Sequence, residues 1–200
     1  MSPTPWLAQI RESMGILRRE GISLPVVYNT SSYERIEVLE EYDDLADIYL
    51  ADLRYSRENT AGEGSGAEDY VATARSAILW MWRRSGALKL DPDGVAMSGV
   101  ICRMLILPGH AEEIVENLEW LADAVGTDIS ISMMSQYVPA GWAASMSPWD
   151  RNITRSEYML AIDAMKRLGF DKGWVQDFEG ATSDELIGFK MRERKNGVIT

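Results

Sequence analysis

The sequence predicts an α/β protein in which parallel strands alternate with helices. Residues 24–56 indicate this most clearly, because two short apolar runs, 25–28 and 48–50, flank a segment of helical character at 33–45. Such a strand–helix–strand unit joins two parallel strands. Further strands then alternate with helices of about ten or more residues, which is typical of a βα barrel or a doubly wound sheet. In both folds ligands bind at the carboxyl ends of the strands.

The first half of the chain begins with a helix rather than a strand. Thr4 followed by Pro5 is typical of an N-cap with proline at the first helical position, and apolar residues then recur at helical spacing. The chain therefore looks as if it starts midway through a βα unit. We expect strands at 24–29 and 47–53, a polar, glycine-rich surface loop at 56–69, and a helix at 70–84.

The second half continues the alternation within what we expect to be a single domain, 1–200. Thr154 and Glu157 form the pattern of a capping box, which predicts the start of a helix that ends near residue 168. The other expected elements are a turn at 91–94, a strand at 99–107, a helix at 110–125, a strand at 128–137, a long loop at 138–153, a short strand at 173–177 and a flexible tail at 191–200.

Composition and charge exclude several function classes. The formal net charge is −11 with no basic cluster, so nucleic acid is not an expected partner. No apolar run approaches the length of a membrane span, and no signal peptide is visible, so we expect a cytoplasmic protein without a membrane partner. The single cysteine, Cys102, and the single histidine, His110, leave no set of cysteines or histidines for a metal site.

Asp52 and Arg54 are the strongest candidates for a site. They lie near the carboxyl end of an apolar strand, and alternation places both on one face with Ile48 and Leu50. They form either a salt bridge with each other or a contact to a ligand, and their position favours the ligand. Asn29 and Thr30, at the end of the neighbouring strand, are either a turn or part of the same binding surface.

His110 and Cys102 are weaker candidates. His110 lies at a strand-to-helix junction, where a helix N-terminus attracts anions, but a residue with no catalytic role is the simpler interpretation. Cys102 lies in the middle of a strand, where a buried cysteine commonly behaves as a small apolar residue.

Five runs of sequence resemble a known family. PVVYNTSSYE, DIYLADLRYS, RMLILPGH, SISMMSQYVPA and RNITRSEY occur in this order. Together they resemble the carboxyl-terminal two-thirds of radical SAM proteins similar to pyruvate formate-lyase activating enzyme, over residues 2–176. The resemblance implies a partial βα barrel of parallel strands. It also implies a [4Fe–4S] cluster, on a Cys-x3-Cys-x2-Cys loop, that binds S-adenosylmethionine and cleaves it reductively. The resulting 5′-deoxyadenosyl radical abstracts a hydrogen atom, in the activating enzymes from a glycine of a partner enzyme.

The resemblance also implies which residues contact the cofactor. Asp52 and Arg54 match an Asp-x-Lys pattern that reaches the ribose and carboxylate region, with arginine in place of lysine, which keeps the charge but changes the donor geometry. The other implied contacts are Ser2 and Thr4 near the methionyl end, Asn29 and Thr30 at the end of the next strand, Leu107 with Pro108 near the adenine, and Gln136 and Tyr137 at the end of the last barrel strand.

The sequence departs from the family at its amino terminus. The cluster loop, the first strand and most of the second are absent, and Cys102 lies on another strand. We therefore expect a partial barrel with an exposed sheet edge and no catalytic residue or metal ligand of its own. Three hypotheses stay open: a radical SAM part that needs the missing amino-terminal part or a target protein, a non-enzymatic remnant that binds a nucleotide-like ligand or a partner protein, and a complete small βα protein using Asp52, Arg54 and His110.

Overall fold

A computed structural model describes residues 3–178 and shows a sheet flanked by helices. The parallel strands follow the order β1-β2-β4-β5-β6, and β3 pairs antiparallel with the first residues of β4. The strands are β1 (Val27–Thr30), β2 (Ile48–Asp52), β3 (Lys89–Leu90), β4 (Ala96–Leu105), β5 (Ser130–Met134) and β6 (Gly173–Val175). The helices are α1 (Leu7–Arg19), α2 (Ile36–Glu41), α3 (Glu58–Ser65), α4 (Tyr70–Ser85), α5 (Ala111–Val125) and α6 (Arg155–Arg167).

The order of the parallel strands never reverses. Because crossovers between parallel strands are right-handed, a chain that always moves to the next strand in the same direction places its helices on one face of the sheet. A doubly wound sheet would reverse direction and cover both faces. The predicted α/β class is confirmed, and the observed topology is compatible with a partial βα barrel.

Burial along the strands agrees with this arrangement. Tyr49, Cys102 and Ile131 are fully buried and alternate with less buried residues on their strands. These residues pack under the helices, where Ile78 and Met81 of α4 are also fully buried. The opposite side of the sheet, here called the open face, carries the residues between them: Asn29, Leu50, Asp52, Ile101, Arg103, Leu105, Ser132 and Met134.

Cys102 is confirmed as a core residue. It is fully buried, and burial, together with the charge of Asp52, raises the pKa of its thiol. A thiol that does not ionise is neither a nucleophile nor a metal ligand.

The predicted N-cap at Thr4 is wrong. Residues Thr4–Trp6 form a single 3₁₀ turn, and the α-helix begins only at Leu7. The Thr4 hydroxyl instead donates to Glu34 Oε2 at 3.1 Å, so a tertiary contact replaces the local cap. The expected helix at 33–45 is also shorter, since only Ile36–Glu41 is α-helical.

The expected surface loop at 56–69 is wrong as well, because it contains α3. Glycine disfavours a helix in isolation, but Thr60 and Ala61 are buried and Gly66 ends the helix with a φ of 64°. Glu58 then accepts hydrogen bonds from the first backbone N–H groups of α4, those of Val71 and Ala72, at 2.9 and 3.1 Å. The packing of α3, and the hydrogen bonds by which Glu58 joins it to α4, therefore outweigh the low helix propensity of its glycines.

The later elements follow the predictions more closely. The capping box of Thr154 and Glu157 is present at the start of α6, and the short last strand is present as β6. The loop at 138–153 contains a 3₁₀ turn, Gly141–Ser145. The predicted tail at 191–200 lies outside the described residues. None of the helices between residues 3 and 178 is long and apolar enough to cross a membrane.

Candidate functional site

Four polar side chains meet on the open face near the carboxyl ends of β1, β2 and β4. Asp52 and Arg103 are neighbours in the register of β2 and β4, and Arg54 follows Asp52 two residues later. Asn29 lies at the end of β1. We call Asn29, Asp52, Arg54 and Arg103 the polar cluster.

Asp52 is the centre of the polar cluster. Arg103 Nε donates a hydrogen bond to Asp52 Oδ1, and Arg54 Nη2 donates to Oδ2 at 3.3 Å. Arg103 Nη2 also donates to Asn29 Oδ1 at 3.0 Å. The exposed fractions of the side chains are 12% for Asp52, 22% for Arg103 and 35% for Arg54. The carboxylate is therefore held by two arginines that are themselves only partly exposed.

A buried tyrosine fixes the backbone beneath the cluster. Tyr70 Oη accepts the backbone N–H of Arg54 at 3.1 Å and lies 3.1 Å from the carbonyl oxygens of Ser31 and Asp52, one of which its single proton can serve. Burial raises the pKa of Tyr70, so the hydroxyl keeps its proton. Although desolvation opposes the charge of Arg54, the neighbouring Tyr55, Tyr70 and Asp52 raise the pKa of its guanidinium.

Thr30 and Thr4 do not join the polar cluster. Thr30 is fully buried on the helix-covered face, and its hydroxyl donates to Glu34 Oε1 at 3.0 Å. Glu34 also receives the Thr4 hydroxyl. Both threonines therefore connect the first turn of the chain to the end of β1. Ser2 lies outside the described residues.

A cavity of about 230 Å³ adjoins the polar cluster at Arg54. Leu107 and Tyr137, both predicted site residues, line it together with Trp149 from the long loop. The remaining lining residues are Tyr55, Gly64, Leu105, Val138, Ala140, Trp142 and Ala143. The cavity therefore has a charged end and apolar, aromatic walls.

Gln136 and Tyr137 lie beyond the strand that was expected to hold them. β5 ends at Met134, because Ser135 turns toward the segment after β6 and donates to the backbone carbonyl of Asp177 at 3.0 Å. Gln136 does not line the cavity, and its side-chain oxygen accepts a hydrogen bond from Gln176. Since β6 follows β5 in the sheet, β5 is also not the last strand.

His110 lies apart from the polar cluster. Its ring packs against that of Trp149, with the centroids 4.8 Å apart and the planes tilted by 32°, and its Nδ1 lies 3.3 Å from Glu113 Oε1. Within residues 3–178 no hydrogen bond joins it to Asp52 or Arg54. Glu113 accepts the backbone N–H groups of Ser56 and Arg57, at 2.8 and 3.1 Å, and so joins α5 to the segment before α3. The site that combines Asp52, Arg54 and His110 is therefore not assembled by direct contacts.

Arg103 and Trp149 are two residues of this region that sequence analysis missed. Arg103 is a charged residue inside an apolar strand, and alternation with Ile101 and Leu105 was a signal that could have placed it on the open face beside Asp52. Trp149 lies in an irregular loop, where no periodic pattern predicts the direction of a side chain.

An iron–sulfur cluster does not fit the residues of this chain. Cys102 is the only cysteine in the sequence, and it is buried under the helices. Residues 3–178 contain no group of three or more histidine, cysteine, aspartate or glutamate side chains that could hold a metal ion. The donors of the polar cluster instead suit an organic ligand that carries hydroxyl and carboxylate groups.

A comparison with known families finds no matching family model. The chain is similar to an uncharacterised protein of the archaeon Methanocaldococcus jannaschii, with 22% identity over 169 residues. The match covers 84% of this chain but only 45% of the archaeal protein, so the chain spans about half the length of this relative.

Proposed function

We propose that this chain is the S-adenosylmethionine-binding part of a radical SAM protein similar to pyruvate formate-lyase activating enzyme. The observation that carries the proposal is the polar cluster, which lies at the carboxyl ends of parallel strands and adjoins an aromatic cavity. Ligands of βα folds bind at this edge of the sheet. The ordered resemblance of five sequence runs supports the choice of ligand.

The donors and acceptors suit the different parts of S-adenosylmethionine. Asp52 has two acceptor positions beyond those that the arginines occupy, which suits ribose hydroxyls. The outer N–H groups of Arg54 suit a carboxylate. Leu107 and Tyr137 offer the apolar surface that a planar adenine requires.

The radical step itself needs residues from outside this chain. Bound S-adenosylmethionine would supply the radical precursor, but the electron must come from a [4Fe–4S] cluster, for which the 200 residues provide no ligand set. We therefore assign this chain a binding and orienting role. Its partner is a cluster-bearing segment or protein, together with the target of the radical. The single buried thiol supports a reducing, cytoplasmic location.

The alternative is a non-enzymatic protein that binds a nucleotide-like ligand at the same place. The lack of cluster cysteines in this chain favours it. The two functions differ in ligand preference, because only the first requires the methionyl group.

Isothermal titration calorimetry with S-adenosylmethionine tests the proposal. We expect a dissociation constant of about 0.1–1 mM without a cluster, and about tenfold weaker binding for Asp52→Ala, since a hydrogen bond to a charged group contributes about 1.5 kcal/mol. Asp43→Ala is the matched control, because Asp43 pairs with Arg84 away from the cavity. We expect it to bind like the wild type.

Two outcomes contradict the proposal. No binding at ligand concentrations up to about 5 mM would mean that any affinity is too weak to be specific. This result would exclude S-adenosylmethionine as the ligand. Equal affinity of the wild type and Asp52→Ala removes the polar cluster as its site. Stronger binding of ATP than of S-adenosylmethionine favours the nucleotide-binding alternative.

A further inference from the structure

Glu157 connects the turn after β4, the loop that carries Trp149 and the N-terminus of α6. Its Oε1 accepts the backbone N–H of Gly109 at 2.6 Å and Arg151 Nη2 at 2.8 Å. Its Oε2 accepts Arg151 Nη1 at 2.9 Å and the backbone N–H of Thr154 at 2.7 Å. The capping of α6 needs only the contact to Thr154. The hydrogen bonds from Gly109 and Arg151 are therefore not required for capping and have another role.

These extra bonds enclose the segment that carries Trp149. Arg151 follows Trp149 by two residues, and Gly109 packs so closely against Pro148 that a Cβ atom at position 109 would overlap the proline ring. The Trp149 ring packs against the ring of His110, the residue after Gly109, and the backbone oxygen of Trp149 accepts a hydrogen bond from the Tyr137 hydroxyl at 2.8 Å. Glu157 thus joins the turn after β4 to Arg151 and Thr154, which follow Trp149 in the chain.

We propose that Glu157 is a positioning residue that holds Trp149 in place as a wall of the cavity. Trp149 is 3% exposed and lines the cavity together with Tyr137 and Leu107. Glu157 is absent from the cavity lining, so it acts through the loop. The consequence for S-adenosylmethionine rests on the proposed function, whereas the position of Trp149 does not.

The geometry requires a carboxylate at position 157. Both of its oxygens face N–H donors, those of Gly109 and Arg151 on one side and those of Arg151 and Thr154 on the other. A glutamine has the same shape, but in either orientation its NH₂ group meets two donors. Glu157→Gln therefore breaks one side of the connection while it changes the volume very little.

Fluorine NMR of protein labelled with 5-fluorotryptophan tests the proposal directly. The Trp149 resonance is assigned by its loss in Trp149→Phe. We expect Glu157→Gln to shift or broaden this resonance and to weaken S-adenosylmethionine binding about fivefold, as it would if the enclosed position of Trp149 were populated about one-fifth of the time. If Glu157→Gln does not fold, Arg151→Met is the second variant. It removes both arginine hydrogen bonds to Glu157 from a more exposed position and should shift or broaden the same Trp149 resonance.

Thr154→Ala is the matched control. It removes the hydroxyl that caps α6 and that also donates to Glu157 Oε2 at 3.0 Å, but it leaves the bonds from Gly109 and Arg151 to Glu157. A Trp149 resonance that is unchanged in Glu157→Gln, or that changes equally in Thr154→Ala, overturns the positioning role. A change specific to Glu157→Gln supports the positioning role. If the wild type then binds no S-adenosylmethionine, only the proposed function is contradicted, and the positioning role stands.

Discussion

The ion pair between Asp52 and Arg103 should stabilise the fold more than a surface ion pair does. Their side chains are only 12% and 22% exposed, and Arg103 is also hydrogen-bonded to Asn29. Hydrogen bonds to charged groups contribute about 1.5–3 kcal/mol, and partial access of water reduces this to about 1–2 kcal/mol for the pair. A double-mutant cycle of Asp52→Asn and Arg103→Met, measured by urea unfolding, should give a coupling free energy of that size.

The pair of Asp43 and Arg84 provides the control for this cycle. It joins the same residue types on the helical side of the protein, where the side chains are 43% and 48% exposed. Asp43→Asn with Arg84→Met should therefore give a coupling below about 0.5 kcal/mol. Equal coupling free energies in the two cycles would refute the claim that the partial burial of Asp52 and Arg103 strengthens their ion pair.

Two further predictions concern the loop that carries Trp149. Gly109→Ala should lower the free energy of unfolding by about 2–4 kcal/mol, because it adds the strain of a left-handed φ of 77° to an overlap with Pro148. Gly66→Ala also has a left-handed φ, of 64°, but open space around the Cβ position, so a loss of only about 1 kcal/mol in urea unfolding checks the first value. Although burial disfavours its charge, hydrogen bonds from Arg151, Thr154 and Gly109 lower the pKa of Glu157 from 4.5 to about 2. The stability that this carboxylate adds is therefore complete above pH 4.5 and lost as the pH falls toward 2. The stability difference between the wild type and Glu157→Gln should shrink over that interval by about 1–2 kcal/mol, after screening by solvent reduces the full shift, and a difference independent of pH would contradict this assignment.

The sequence predicts the parallel strands well because each of them carries its own signal, whereas the two-residue β3 was not predicted. Apolar runs that end in polar residues locate β1 and β2, and the capping box locates the start of α6. Alternation correctly places Asp52 and Arg54 on one face. These features depend on residues that are near one another in the chain, which is why they are visible without the structure.

The features that the sequence does not predict depend on distant contacts. The glycine-rich segment forms α3 where it packs against Tyr55 and Trp149, so closely that a Cβ atom at Gly64 would overlap the Tyr55 hydroxyl. The hydroxyl of Thr4 caps no helix because Glu34 lies within its reach. Trp149 belongs to the cavity because Glu157, Gly109 and Tyr137 hold its loop. No local pattern contains this information.

The most direct test of the central claim is to map S-adenosylmethionine onto the protein by heteronuclear NMR. The account predicts that the largest changes in amide chemical shift fall on Asn29, Arg54 and Arg103 and on the cavity residue Tyr137, with little change at Arg84 on the helical side. Changes confined to the helical side, or no changes at saturating ligand, would contradict the assignment of the polar cluster as the binding site.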